Sequence, residues 1–206
     1  MMSRSVPVLL LLALAACSDH TIPTASPAPG LEPSLSRSAG ADDARADHAR
    51  AGGRYLVAML DNCDAVSWVN LGGCTINGTV TVPAFQAAVA SLGGHPDWRN
   101  DPVVMDVKWN AKLLVTNLGG RDHTFTRVAA FGGGYVAPLN NPARIPDTGR
   151  IAPECNPALV DIVSPGEETE VRVDHGTRVK NHDERYQCCI HPWMRTTVQV
   201  RHDAPR

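Results

Sequence analysis

Residues 186–198 read YQCCIHPWMRTTV and contain two adjacent cysteines, a histidine and a methionine. Neighbouring residues of an extended chain point to opposite faces, so Cys188 and Cys189 cannot easily serve one site together. Cys188, His191 and Met194 follow one another with two residues between each pair. A thiolate and a thioether favour a soft metal, and imidazole suits copper well. The stretch therefore predicts a metal site, and we expect the two cysteines to have different roles.

The composition is typical of a globular protein with many turns. The chain has 206 residues, of which 43% are hydrophobic and 19% are charged, and its formal net charge is −2. No basic run is present, so nothing indicates a nucleic-acid partner. Aromatic residues make up only 5%, whereas the chain contains 17 glycines and 16 prolines. This balance favours a turn-rich β protein over a helical bundle.

The N-terminal residues predict export. Residues 6–16 (VPVLLLLALAA) form an apolar run after Arg4 that is too short to span a bilayer as a mature helix, which is typical of a secretory signal. The run ends in LAAC, which resembles the lipobox of bacterial lipoproteins. That resemblance implies cleavage after residue 16, lipidation of Cys17 and a membrane anchor on the periplasmic or cell-surface side. The alternative is an ordinary signal peptide cleaved near Cys17, and in either case disulfides would persist.

Two segments separate this signal from the strand-rich region. Residues 17–53 are rich in Ser, Pro, Ala, Gly and mixed charge, so we expect the lipidated cysteine to be followed by a flexible tether. Residues 54–96 form an N-terminal extension that starts with a strand-like run, RYLVAML. Within it, VPAFQAAVASLGG (82–94) has helical apolar spacing and a terminal Gly-Gly, which predicts a short helix. This extension is too small to fold alone, and we expect it to pack on the strand-rich region.

Strand signals dominate residues 97–202. VVMDV (103–107) and LLVTN (113–117) flank a short polar segment in which Asn110 can take positive φ, so we expect a hairpin-like turn between them. TEVRV (169–173) alternates apolar and charged positions, as a half-buried strand does. Several short strands separated by turn residues predict an all-β sandwich or barrel.

A second histidine lies upstream of the cysteine pair. TNLGGRDHTFT (116–126) places His123 at the start of an expected strand, and two histidines, one cysteine and a weak axial methionine form a blue-copper site. The stretch CCIHPWMR resembles the copper loop of the cupredoxins, most of all the amicyanin branch. TNLGGRDHTFT is similar to the segment that supplies the upstream histidine in plastocyanin-like proteins. The resemblance covers about half of the chain, residues 97–202.

This resemblance implies a Greek-key β-sandwich that binds one type 1 copper ion and transfers single electrons, without enzymatic activity. The copper ligands would be His123, Cys188, His191 and Met194. The exposed imidazole edge of His191, beside Trp193, would be the port for electrons passing to exported redox proteins, and we expect a monomer. The residue after the first histidine is often Asn in small cupredoxins and is Thr124 here, so the hydrogen bonds behind the site are expected to differ.

The cysteines can be assigned by counting. Six cysteines in an exported chain would ordinarily form three disulfides without any metal. If the first cysteine carries lipid, five remain, and at least one lies outside an intramolecular bridge. Cys63 and Cys74 can pair across a short loop, and Cys155 can bridge to one of the adjacent pair. Spacing like that of the copper loop favours Cys188 as the thiolate ligand, which leaves Cys189 for Cys155.

Two further functions remain open at this point. A copper-binding or storage module would hold the ion without redox partners, and a structural domain of the same fold would have an empty site. An oxidase or copper nitrite reductase is disfavoured, because the chain has neither repeated copper domains nor His-x-His or His-Cys-His sets. The lack of Cys-x-x-Cys-His excludes covalent haem.

Overall fold

The computed structural model describes residues 49–51, 54–140, 150–173 and 181–201, with the backbone alone for the first of these segments. The expected signal peptide, the lipid site at Cys17 and most of the expected tether lie outside these residues, so they stay predictions. Within the described segments, no helix is long and apolar enough to cross a membrane.

Short strands form most of the regular structure. The strands are β1 Ala49–Ala51, β2 Arg54–Leu60, β3 Arg99–Asp101, β4 Val104–Lys108, β5 Lys112–Asn117, β6 His123–Thr124, β7 Thr126–Val128, β8 Ile162–Val163, β9 Glu168–Arg172, β10 His182–Gln187 and β11 Arg195–Arg201. The helices are α1 Val82–Leu92 and two single 3-10 turns, Val69–Leu71 and Ala137–Leu139. The all-β class with one short helix, predicted from the sequence, is confirmed.

Two sheets share one core. The first has the order β1-β2-β5-β9 with β3 paired to β2, and the second has the order β4-β11-β10-β7, while β6 and β8 form a small pair of their own. Val57 and Leu113 of the first sheet and Val107 and Val198 of the second are at most 1% exposed and belong to a single hydrophobic cluster. Because both sheets bury one face in the same cluster, the fold is the expected sandwich.

The N-terminal extension is built into the first sheet. Strand β2 pairs in parallel with β5, from Tyr55 opposite Leu113 to Met59 opposite Asn117. It also pairs with β1 and β3 on its other side, so it is an inner strand. Strand β1 falls within the segment expected to be a tether, so regular structure begins before residue 54. Packing of the extension on the rest of the chain occurs through backbone pairing as well as through side chains.

The turn between β4 and β5 differs from the expected hairpin. Asn110 has a φ of 59°, as its position predicted. However, β4 pairs with β11, and β5 pairs with β2 and β9, so the two consecutive strands belong to different sheets. Met105 on β4 and Val115 on β5 therefore face the same core from opposite sides. The turn carries the chain across the sandwich.

Helix α1 has the boundaries that its sequence predicts. Thr81 caps its start, because the threonine hydroxyl accepts a hydrogen bond from the Ala84 amide. Gly93 ends it with a φ of 75°, a left-handed conformation that glycine adopts without strain. Phe85 and Val89, one turn apart, are the buried residues of the helix and join the main core. The helix is thus anchored to the main core by these two side chains.

We expect a chain that begins at residue 97 to lack a cooperative fold. Such a chain loses β2, which pairs with β5 over five residue pairs, so the buried side chains of β5 lose their cover. Thermal unfolding followed by circular dichroism tests this, with a chain beginning at residue 49 as the control. The control should unfold in one sigmoidal transition, and a similar transition for the shorter chain would contradict the expectation.

Candidate metal centre

The downstream candidate ligands lie in a short loop between two paired strands. Strands β10 and β11 pair from His182 to Gln187, and Gln187 opposite Arg195 closes the base of the loop. Within the loop, the Cys188 amide donates to the Met194 carbonyl at 3.0 Å, and the Met194 amide donates to the His191 carbonyl at 2.9 Å. The hairpin and these two bonds fix the backbone positions of the loop.

The upstream histidine is held by a different set of contacts. His123 starts β6, where it pairs with Val163 of β8. The side chain of Asn117 organises the preceding turn, because its amide nitrogen donates to the Arg121 and Val163 carbonyls and its oxygen accepts from the Gly119 amide. The turn is therefore braced from within, and it delivers His123 to the loop.

Three donor atoms converge between these two segments. The Nδ1 atoms of His123 and His191 are 3.2 Å apart, and Cys188 Sγ lies 3.8 Å and 3.7 Å from them. A first-row metal ion about 2.0 Å from each nitrogen and about 2.3 Å from the sulfur, in the plane of the three donors, would space the nitrogens by about 3.5 Å and each nitrogen from the sulfur by about 3.7 Å. The three side chains therefore have the separations of a trigonal metal site.

The sulfur of Cys188 also accepts two backbone hydrogen bonds. The amides of Thr124 and His191 each approach Sγ at 3.4 Å. The Thr124 hydroxyl accepts a bond from the Cys189 amide at 2.7 Å, which ties the histidine segment to the cysteine pair. Thr124 thus links the two segments behind the site.

Met194 is fully buried in the same loop. That its thioether acts as a fourth ligand stays a prediction.

The cysteines divide as the counting expected. Disulfides join Cys63 to Cys74 and Cys155 to Cys189, with Cα atoms 6.0 Å and 5.2 Å apart, and Cys188 is free and buried. Cys188 belongs to the main core, whereas Cys189 belongs to a smaller cluster with Cys155. Asp61, Cys63 and Cys74 also lie within 4.8 Å of one another, but their sulfurs form a disulfide and cannot act as thiolates.

Asp61 contacts the site and was missed by the sequence reasoning. Its Oδ2 lies 3.0 Å from His123 Nε2, and both side chains are fully buried. The carboxylate also accepts hydrogen bonds from the backbone amides of Cys63, Gly120 and Arg121. Burial alone would raise the pKa of Asp61, but the hydrogen bond with His123 and those from the Gly120 and Cys63 amides hold it below the usual range. The only signal in the sequence is a carboxylate directly after the apolar run of β2.

The ionisation of the ligands suits metal binding. Burial opposes a charge on His123, but hydrogen bonds to Asp61 and Cys188 outweigh it and raise the pKa of His123 to about 9. Burial also opposes a Cys188 thiolate, yet its bonds to His123 and His191 hold the thiol pKa well below its usual range. Burial lowers the pKa of His191. A metal ion would thus meet a thiolate and a neutral imidazole, and would displace one proton from His123.

His191 is covered, although the sequence predicted an exposed edge. It is only 5% exposed, because the rings of Phe85, Trp98 and Trp193 lie with centroids 6.3, 6.4 and 5.6 Å from its own. Trp193 is half-buried and donates from Nε1 to the Trp98 carbonyl at 3.1 Å. The expectation came from the copper loop alone, whereas Phe85 belongs to the N-terminal extension and Trp98 is the second residue after it.

A recess of about 580 Å³ leads to His191. Its walls include Trp68, Phe85, Ala90 and Arg121. The Arg121 guanidinium lies 5.0 Å above the Trp68 ring and donates to the Gly73 carbonyl. The volume is in the range of small-molecule sites. The recess therefore gives small solutes a path to an imidazole that a flat surface could not contact.

No known protein family and no curated protein matches this sequence. Among solved structures, a purple cupredoxin from Nitrosopumilus maritimus matches at 14% identity and a TM-score of 0.33, over 52% of this chain and 85% of that one. A reduced amicyanin variant matches at 13% identity and a TM-score of 0.34, over 73% of this chain and 85% of that one. A reduced Cu(I) form of another amicyanin variant at pH 4 matches at 16% identity and a TM-score of 0.31, over 50% of this chain and 72% of that one. At such TM-scores, the chemistry of the site has to rest on its own residues.

We expect Cys188→Ser to abolish thiolate coordination, because a serine hydroxyl is a poor ligand for a soft metal. Visible absorption after addition of Cu(II) measures this through the sulfur-to-copper charge-transfer band. The control is the double variant Cys155→Ala/Cys189→Ala, which removes a disulfide and keeps the Cys188 sulfur. The control should keep the band, and loss of the band in the control with retention in Cys188→Ser would reverse the assignment.

Proposed function

We propose that this chain binds one copper ion as a type 1 centre and passes single electrons between redox partners, without catalysing a reaction itself. The observation that carries the proposal is the triangle of His123 Nδ1, His191 Nδ1 and Cys188 Sγ, with sides of 3.2, 3.7 and 3.8 Å. Two imidazoles and a thiolate in a plane, with a weak axial methionine, are the donors of a blue-copper site. Met194 is the proposed axial ligand.

The number of strong donors favours copper over structural zinc. Structural zinc sites almost always have four ligands from Cys, His and carboxylates. Within the described residues, no fourth side chain of these types joins His123, Cys188 and His191 in one group. Asp61 is bonded to the far nitrogen of His123, so it supports that ring and does not compete for the metal. A three-donor set of this kind fits copper better.

The surroundings of the ligands support electron transfer. Copper, when bound, supplies one-electron chemistry between two oxidation states. The chain contributes rigidity, because two backbone amides hold Cys188 Sγ, Asp61 holds the His123 ring, and strand pairing holds the loop. Burial of the three ligand side chains excludes water from the site. Ligands that cannot rearrange let the electron move with little accompanying motion.

The proposed route for electrons runs through His191 and Trp193. The His191 ring touches the recess, and the Trp193 ring lies beside it with a centroid separation of 5.6 Å. Trp193 is the more exposed of the two. Small reagents would therefore approach His191 through the recess, and larger partners would contact Trp193 at the surface.

We also propose that the protein acts outside the cytoplasm as a monomer. The two disulfides among the described residues suit an oxidising compartment. Cys17 would carry lipid and anchor the chain to a membrane on the periplasmic or cell-surface side. The partners would then be exported redox proteins that reach the folded part of the tethered chain.

We expect the protein to bind one equivalent of Cu(II), to show a strong visible thiolate-to-copper band and to give a reversible one-electron wave. Absorption titration followed by voltammetry on an electrode measures all three. Copper binding without a reversible wave would favour the storage alternative. A protein that stays colourless and binds no copper would contradict the proposal. The structural domain with an empty site would then be the remaining alternative.

We expect Ala90→Trp to slow electron exchange with a small oxidant several-fold without changing the reduction potential. Ala90 lies on the exposed face of α1 at the recess, so a larger side chain would narrow the path to His191. Stopped-flow oxidation of the reduced protein by ferricyanide measures the rate. Ala87→Trp is the matched control, because Ala87 is exposed on the same helix away from the recess. Equal rates for both variants would argue against this route.

A further inference from the structure

We propose that Asp61 is a positioning residue of the metal centre, which fixes the His123 ring and makes its Nδ1 a stronger donor for Cu(II) than for Cu(I). The inference rests on the metal site proposed above and adds a residue from the N-terminal extension to it. Asp61 is separated from His123 by 62 positions, yet Oδ2 lies 3.0 Å from Nε2 in a fully buried contact.

Backbone amides favour the ionised form of the Asp61 carboxyl, which can only accept hydrogen bonds. Oδ1 accepts hydrogen bonds from the Cys63 and Gly120 amides at 3.3 and 2.9 Å, and Oδ2 accepts from the Arg121 amide at 3.0 Å. An ionised carboxylate has no proton to give. The hydrogen between Oδ2 and Nε2 therefore belongs to His123. With Nε2 protonated, the lone pair of the neutral ring is on Nδ1, the atom that faces Cys188 and His191.

The carboxylate also changes the strength of the ligand. A buried negative charge at Nε2 pulls on the ring proton and makes the other nitrogen more basic, and partners of this kind typically change metal affinity 10- to 100-fold. Cu(II) carries the higher charge, so it gains more from a stronger donor than Cu(I) does. The predicted consequence is a lower reduction potential than the same ligands would give without Asp61.

The residues around Asp61 leave room for its contact with His123. A side chain at Gly119 would collide with the Asp61 carboxylate, and one at Gly120 would lie 2.6 Å from Cys74 Sγ. The two glycines thus let the turn before His123 close onto Asp61. The Cys63–Cys74 disulfide lies against the same turn and holds the segment after Asp61. This packing holds the Asp61 carboxylate against Nε2 of His123.

A purely structural role would predict something different. If Asp61 only tied β2 to the turn at Gly120 and Arg121, its loss would lower stability and weaken Cu(II) and Cu(I) binding alike. A positioning role predicts an unequal loss. The ratio of the two affinities, which fixes the reduction potential, is therefore the quantity that separates the two roles.

The test compares Asp61→Asn with Asp64→Asn in the whole protein. Asn keeps the shape but loses the charge, whereas Asp64 accepts from the Ser67 amide in the same extension without contacting a ligand. We expect Asp61→Asn to bind Cu(II) 10- to 100-fold more weakly, with a smaller change for Cu(I). The potential should rise by about 60 mV for each tenfold difference between the two losses. Asp64→Asn should match the wild type in affinity and potential.

An unchanged affinity ratio and potential in Asp61→Asn would overturn the proposal while leaving the copper function intact. Conversely, a wild type that binds copper without a reversible wave would remove the electron-carrier function, yet Cu(II) affinities would still test Asp61. If Asp61→Asn does not fold, the metal-free wild type decides through ¹⁵N NMR at a pH where the His123 ring is neutral. We expect the His123 proton on Nε2, and a proton on Nδ1 would overturn the proposal.

Discussion

The parallel pairing of β2 with β5 is the constraint on which the proposed metal centre depends. Parallel strands end at the same edge of a sheet, and Met59 lies opposite Asn117 at that edge. The residues beyond the two strand ends are therefore neighbours, with Asp61 after β2 and the Gly119–Gly120 turn after β5. The Asp61 carboxylate accepts hydrogen bonds from the Gly120 and Arg121 amides, and its Oδ2 also contacts Nε2 of His123. Sheet topology, more than any local motif, thus places the first imidazole.

The parts of the site that the sequence could predict are those with local causes. Cys188, His191 and Met194 belong to one loop, so their spacing alone indicated a shared site, and the helix at residues 82–92 followed from its cap and apolar spacing. Asp61 and the cover over His191 depend on which strands are neighbours. Alternation indicates which side chains are buried, but it does not specify strand order. The expected hairpin at Asn110 was wrong for the same reason.

The paired cysteines show how two adjacent positions can serve two different parts of the structure. Cys188 and Cys189 follow the last residue of β10, and they belong to separate hydrophobic clusters. The Cys188 sulfur lies near Nδ1 of two histidines, whereas Cys189 forms a disulfide with Cys155. The Cys189 amide meanwhile donates to the Thr124 hydroxyl. The second cysteine therefore braces the ligand segment from behind without approaching the donor atoms.

The N-terminal region contacts both histidines of the proposed centre, and it does so by different physical means. Asp61 meets His123 through a buried charge, and Phe85 covers His191 through an apolar ring. In the proposed centre, the first contact would adjust the donor strength of His123, and the second would keep water from His191 and limit access to it. Both contacts come from residues outside the copper loop, because Asp61 and Phe85 lie before residue 97. The region before residue 97 is for this reason part of the proposed centre, and its sequence should constrain both the potential and the route by which electrons reach the metal.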